Sequence, residues 1–399
     1  MQNRRRSTVA LIVCYLAYTS IYIARMNLSM ASPALSEMHY LSASELGMLG
    51  SVFSIVYALG RLLGGAVSDT QPPYRMIASG LFLAGIGNLL FGLFPPFVGA
   101  LLLWGLNALA QSMLWSSVLI VAAFDTDRKT ASKRASVMVT SVATGNILGI
   151  LLNLYFIDRF GVRFAFLIPG AITLLLSLAV LLTTRYVPAK IVEKNAAGAG
   201  NVFVRMGRLL SDRALRTALV PAAFHGVMKD NVTIWMALFF VERYGIDISS
   251  FAGQLLLIPV AGLVGRVLHP FVNRALDYRE HRVSQVGFVI ALLSSALILP
   301  HSIPPIVAMV CLAAVYAAVS LANTSFLSIY PMRFPENVAS VSGLMDFTTY
   351  LGAGIASVVY GFVIEKAGYD VMFVSWIVLS AASVLILECV IRMQKNDEV

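Results

Sequence analysis

The sequence predicts an all-α membrane protein, with twelve transmembrane helices in two pseudo-symmetric six-helix halves. Three observations carry this. The 399-residue chain is 58% hydrophobic and only 12% charged, where a soluble chain is about a quarter charged. Its mean hydropathy is +0.81. Apolar stretches of roughly 20 residues, the length that crosses a bilayer, recur along the whole chain, and the second six echo the first six.

The spans fall at about 8–30, 44–67, 75–94, 97–122, 134–157, 163–184, 217–241, 249–271, 284–300, 304–329, 338–364 and 370–391. Short alternating segments are absent, which excludes a β-barrel. The stretch 185–216 is polar and basic and reads as a cytoplasmic linker. It divides the chain into an N-terminal half, 1–184, and a C-terminal half, 217–399. GRLLGGAVSD at 60–69 aligns with GRVLHPFVNR at 265–274, ASV at 135–137 with ASV at 339–341, and IDRFGVRFAF at 157–166 with IEKAGYDVMF at 364–373. These offsets cluster near about 205 residues, as a six-plus-six duplication requires.

Orientation follows the basic residues. With both termini cytoplasmic, the inner face holds Arg4, Arg5, Arg6, Arg75, Arg128, Lys129, Lys133, Arg134, the linker, Arg333, Arg392 and Lys395. The outer face holds only Arg159, Arg163, Arg243 and Lys366. The net charge of +9 then reflects this asymmetry and attraction to anionic lipid, not nucleic acid. MQNRRRS before an apolar run has no small-residue cleavage pattern and reads as a start-transfer helix. Cys14, Cys311 and Cys389 lie inside spans and suggest neither disulfide nor metal site.

The charge that demands explanation is Arg25, inside the apolar run Ser7–Ala31. A cation in a membrane helix costs a few kcal/mol unless it snorkels outward or serves a cavity. The repeat offset maps Arg25 onto Lys229 or Asp230 in HGVMKDNVTIW. Each half therefore places a cation at the same point of its first helix, and two such cations suit an anion held between them. Asp230, one residue on, either neutralises Lys229 or takes a proton. Asp346 in the eleventh span is a second proton-carrying candidate, or else a partner for Arg61 or a helix end. His225 reads as an interfacial residue. Gln111, Asn107, Asn146, Asn153 and Asn323 either hydrogen-bond substrate or tie helices together.

Two six-helix halves in parallel repeat are the build of major facilitator transporters. GAVSDTQPPYR at 65–75 resembles that superfamily's loop between the second and third spans. Gly65 would allow close helix approach, Asp69 would pair or cap at a helix end, and Arg75 would anchor the next helix. Within the superfamily, Tyr22, Arg25 and Asn27 of the first span resemble the Y-x-x-R-x-N of the organophosphate:phosphate antiporters. SVFSIVYALGRLLGGAVSD at 51–69, QSMLW at 111–115, MDFTTYLGAGIAS at 345–357 and GYDVMF at 368–373 resemble the same family. The resemblance implies that Arg25 and Lys229 clamp the anion, that Tyr22 and Tyr350 line the pocket, and that Gln111 and Trp115 lie near it. The chain departs from the family in having Lys229 in place of Arg, Met26 in place of a second cation, Gly145-Asn146 in place of His-Asn, and no proline between Trp235 and Phe239. These losses suggest a less highly charged anion than a phosphate ester, such as a carboxylate or sugar acid.

The expected protein is a secondary transporter of a small organic anion (phosphate ester, carboxylate or sugar acid) working by alternating access as an anion exchanger. It would sit as a monomer in a bacterial inner, or plasma, membrane. The rival readings are a proton-coupled symporter or exporter of a neutral solute, and a non-transporting sensor. Glycine pairs such as those of AGIGNLL sit inside apolar helices and do not make a dinucleotide fold. Phosphate-loop, triad and zinc signatures are absent from the sequence, so no enzyme, cofactor or metal is expected.

Overall fold

A computed structural model describes residues 2–68, 71–123, 128–184, 207–277, 279–334 and 338–397. Among these residues every regular element is helical. The chain divides into two compact units: Met1–Glu193 with Asp247–Ala252, and Lys194–Ile246 with Gly253–Val399. Among the described residues, 10 helices are long and apolar enough to cross a membrane, and Phe97–Ser112 is a shorter apolar helix.

The first unit contains α1 (Gln2–Glu37), α2 (Ala43–Ser68), α3 (Pro73–Phe91), α4 (Phe97–Ser112), α5 (Leu114–Ala123), α6 (Arg128–Phe160) and α7 (Phe164–Thr184). Local chemistry sets the starts. At α2, Ser42 and Glu45 form a reciprocal capping box. The Ser42 amide donates to Glu45 Oε2 at 2.9 Å and the Glu45 amide to Ser42 Oγ at 3.3 Å, which satisfies two orphan donors. At α3, Pro73 occupies the first helical turn, where its missing N–H costs nothing. Within this unit α1 packs on α6 and α7, α3 on α7 and α4, and α2 on α4.

The second unit contains α8 (Arg213–Tyr244), α9 (Ala252–Leu255, shared with the boundary), α10 (Leu257–Ala275), α11 (Glu280–Ile298), α12 (Pro305–Thr324), α13 (Val338–Ala367) and α14 (Asp370–Asp397). Asp212 caps α8 by accepting from the Leu215 amide at 2.7 Å. Gly245, with φ of 63°, ends it in the left-handed region that glycine adopts without strain. Helix α8 packs on α13, α14 and α12, and α11 packs on α12 and α14. It falls outside the 10 apolar helices because His225, Lys229, Asp230 and Asn231 interrupt its apolar run.

Three spans differ from their sequence reading. The fourth, expected as 97–122, breaks at Met113 into α4 and α5. The eighth, expected as 249–271, opens with the short α9 before α10. The tenth, expected as 304–329, leaves α-geometry at Ser325. It continues as a π-helix, Ser325–Ile329, and a 3-10 turn, Tyr330–Arg333. Helix α8 begins at Arg213, inside the expected linker, and linker residues 185–206 lie outside the described residues.

Polar ties close both ends of the second unit. Arg243 reaches Asp370 Oδ1 at 2.9 Å and donates to the carbonyls of Ile298 and Leu299. The Tyr369 hydroxyl donates to Glu242 at 2.9 Å. At the other end Arg333 pairs with the buried Glu280, and Arg282 with Glu388 at 2.7 Å.

Candidate functional site

In the first unit, α1 carries Tyr15, Tyr18, Tyr22 and Arg25 at three- and four-residue spacing, which lines one helical face. The Arg25 guanidinium carbon lies 4.5 Å from the centroid of the Phe53 ring and 5.3 Å from that of Tyr57. These two rings, one turn apart on α2, stack nearly parallel at 5.9 Å and 13°. Stacking of this kind is worth roughly 0.5–2 kcal/mol, rising as the site dries. An uncharged ring fixes the guanidinium in place without cancelling its charge.

Tyr18 joins two of the residues expected at the site. Its ring lies 5.6 Å from that of Tyr22 and 5.0 Å from that of Trp115. The close approach of α6 explains why position 145 carries no imidazole. A Cβ on Gly145 would lie 2.5 Å from Tyr22 Cβ, and one on Gly149 would lie 2.9 Å from Met26 Cβ. Small residues four apart let two membrane helices touch backbone to backbone.

Asn27 is fully buried and both ends of its amide are engaged. Oδ1 accepts from the Leu28 amide at 2.8 Å, and Nδ2 donates to Asn88 Oδ1 at 2.7 Å. Asn88 also donates to the Ala84 carbonyl at 2.9 Å and toward Asn107 Oδ1 at 3.5 Å. Gln111 Nε2 donates to that same Asn107 oxygen at 2.9 Å. The result is an amide ladder across α1, α3 and α4. Gln111 Oε1 at its end is buried without a hydrogen-bond partner.

In the second unit, Lys229 Nζ stands 4.6 Å over the Tyr350 ring and 3.3 Å from Asp230 Oδ1. The lysine thus has both an aromatic shelf and a carboxylate, the neutralising role read for Asp230. Asp230 Oδ2 is buried without a hydrogen-bond partner. Asp346 lies on α13 one turn before Tyr350 and is half-buried. His225, expected at the membrane interface, is instead completely buried. The seam between α8 and α13 leaves it no route outward, because a Cβ on Gly226 would lie 2.0 Å from the Thr349 carbonyl oxygen.

Of the loop motif, Gly65 lies within α2 and Asp69 lies outside the described residues. Arg75, exposed in the first turn of α3, donates from Nε to the Tyr74 hydroxyl at 3.2 Å. The sequence reading missed Tyr18, Phe53, Tyr57 and Asn88. The aromatic pair at 53 and 57 had a usable signal, four-residue spacing in a span that follows the charged helix. Asn88 had none beyond being polar among glycines.

A family model described as Major Facilitator Superfamily matches residues 14–357. A probable hexose phosphate transport protein of Chlamydia trachomatis is 25% identical over 310 residues, covering 71% of this chain and 68% of that protein. The glycerol-3-phosphate transporter of Bacillus subtilis is 22% identical over 387 residues, covering 90% and 86%. A probable L-galactonate transporter of Escherichia coli K12 is 22% identical over 421 residues, covering 99% and 91%. Among solved structures, the nucleoside transporter NupG superposes with a TM-score of 0.78 at 15% identity, covering 98% of this chain and 99% of that one. That likeness speaks for the fold.

Proposed function

The chain belongs to the Major Facilitator Superfamily, and from that premise we propose that it exchanges one small organic anion for another across a membrane by alternating access. One observation carries the reading: each unit mounts a cation of its first helix on aromatic rings, Arg25 on Phe53 and Tyr57, and Lys229 on Tyr350. Holding a cation inside a membrane helix is costly. Doing so at both repeat-related positions is what an anion carrier needs and what a carrier of neutral solutes does not. The substrate class is a phosphate ester, carboxylate or sugar acid, in line with the printed functions of the relatives. Tyr22, Trp115 and Gln111 shape the first unit's share of the pocket, and Tyr350 shapes the second's. Asn27 contributes by holding α1 in place. Gly65, Asp69 and Arg75 serve the turn on which the helices rock. Both termini face the cytoplasm of a bacterial cell, and the protein works as a monomer.

Counterflow in proteoliposomes tests this. Vesicles loaded with inorganic phosphate, glucose 6-phosphate or gluconate are diluted into the labelled counterpart of each. Exchange that depends on a loaded anion and disappears in Arg25→Gln and Lys229→Gln supports the reading. Uptake driven by a proton gradient alone, with no internal anion, overturns it. That second outcome is the signature of proton-coupled transport, which one feature favours: the buried, unpartnered Oδ2 of Asp230 is placed to take a proton.

A further inference from the structure

We propose that the second unit holds a further oxyanion station, formed by His225 and Arg266 one helical turn along α8 from Lys229. It deepens the anion-transport reading and rests on it. His225 is 0% exposed, and neither ring nitrogen has a hydrogen-bond partner. An imidazole stripped of water and left without partners costs roughly 1–3 kcal/mol, so a fold that keeps one has a use for it. The ring cannot face α13, because Gly226 and Thr349 bring those two backbones into contact. It packs on Phe326, with centroids 6.1 Å apart. Phe326 belongs to the π-helical segment of the tenth span, and such segments gather at functional sites.

The charges around this ring point to its ligand. Lys229, four residues on, and Arg266 of α10 both lie within electrostatic reach of His225. Arg266 Nε is buried without a hydrogen-bond partner. Asp230, the carboxylate on the same helix, is already engaged with Lys229 at 3.3 Å. His269, one turn from Arg266, is engaged with Ser325 Oγ at 2.9 Å. What remains is a buried imidazole and a guanidinium edge beside an ammonium, all able to donate. A phosphoryl or carboxylate oxygen accepts from such groups, and a guanidinium suits either. The station takes the anion through these donors before or after Lys229 does, so that it moves along α8 by one turn. Repeat symmetry makes the choice of Arg266 specific: Gly265-Arg266 aligns with Gly60-Arg61. Both glycines sit in close helix contacts, 2.1 Å from the Ala317 carbonyl oxygen and 2.0 Å from Ser112 Oγ for an added Cβ.

The test is thermal unfolding of the full chain in detergent, titrated separately with inorganic phosphate and with gluconate. A bound ligand raises stability in proportion to RT ln(1 + [L]/Kd). One of the two probes should raise the wild-type Tm, and which one does so separates the phosphoryl from the carboxylate source. His225→Phe, which keeps the ring but removes both nitrogens, should raise the unliganded Tm and weaken that probe about tenfold or more. Arg266→Gln should weaken it similarly, and Arg266→Lys should restore most of the affinity. If Arg266→Gln does not fold, His225→Phe and Arg266→Lys carry the test. Binding lost in Arg25→Gln but intact in His225→Phe and Arg266→Gln overturns the station and leaves the paired-cation reading standing. The reverse pattern keeps the station and removes the paired-cation reading. A lowered unliganded Tm in His225→Phe with wild-type binding makes His225 structural and also overturns the station, as does a wild type that responds to neither probe.

Discussion

Asn27 Nδ2 and Asn88 Oδ1 meet at 2.7 Å in the dry interior of the first unit. The bond ties α1, which bears Arg25 two residues earlier, to α3. The ladder continues through Asn107 to Gln111. A residue that the sequence offered as a pocket ligand is thereby also a brace for the helix that carries the charge.

Cutting this brace should cost stability first. Interhelical hydrogen bonds in membranes average about 0.6 kcal/mol and reach about 1.7, and a buried amide left unpaired adds to that. Asn88→Ala should therefore destabilise the first unit by about 1–2 kcal/mol, read as a lower Tm in detergent. Asn27→Ala should match it. An Asn27→Ala protein with wild-type Tm and weakened anion binding would make Asn27 a ligand instead.

The seam between α8 and α13 is expected to reject any side chain at its glycines. A Cβ at 226 meets the Thr349 carbonyl oxygen at 2.0 Å, and one at 352 meets that of Ala223 at 2.6 Å. Backbone atoms cannot step aside as a flexible side chain would, so Gly226→Ala should sharply reduce the yield of folded protein. Gly343, on the same α13, has nothing within 4 Å of an added Cβ. Gly343→Ala should be neutral or stabilising by up to about 1 kcal/mol, since a helix interior favours alanine. Fluorescence-detected size exclusion of both variants makes the comparison.

Tyr350 should act through its ring. Tyr350→Phe keeps the face over which Lys229 sits at 4.6 Å, and anion affinity should stay within about threefold. Tyr350→Leu removes a contact worth roughly 0.5–2 kcal/mol and should weaken affinity by about 2- to 30-fold. Titration of exchange rate against external anion reads both. Equal losses in the two variants would place the function on the hydroxyl.

Tyr40 supplies a pH signature outside the spans. Its hydroxyl donates to the Pro95 carbonyl at 2.6 Å, and burial, then the Glu45 charge, push its pKa above the usual 10.0. A folded-state pKa above the unfolded one gives stability that is complete below the unfolded value and lost as pH rises through the folded value. Tm should therefore hold up to about pH 10 and then fall as the phenol ionises. Tyr40→Phe should flatten that alkaline fall while lowering Tm at neutral pH by the lost hydrogen bond. Differential scanning fluorimetry from neutral to strongly alkaline pH distinguishes the two curves.

Much of the architecture was legible because the membrane imposes it. Apolar length finds spans, and Ser42 with Glu45, Pro73 and Gly245 mark helix ends by local chemistry. Arg25 and Lys229 stood out as charges in apolar runs, and the structure gives each an aromatic shelf. Contacts between distant helices were not legible. Asn88 reads as one polar residue in AGIGNLL until α1 and α4 deliver Asn27 and Asn107 to it. His225 looked interfacial because its burial comes from the α8–α13 seam, which depends on glycines at 226 and 352. The breaks at Met113 and Ser325 lie within uninterrupted apolar sequence and carry no Gly or Pro of their own.

The break at Ser325 has an effect on phase. One added residue in a helical turn rotates everything beyond it by about 100° relative to a continuous helix. Phe326, at the start of the π segment, faces His225 and Phe288. Beyond it, Tyr330 meets His281 and Arg333 meets Glu280. The tenth span thus keeps two registers in one rod, one for its interior neighbours and one for the salt bridge at its end. Deleting a single residue between 325 and 329 would merge the registers and swing Arg333 away from Glu280, while leaving hydropathy almost untouched.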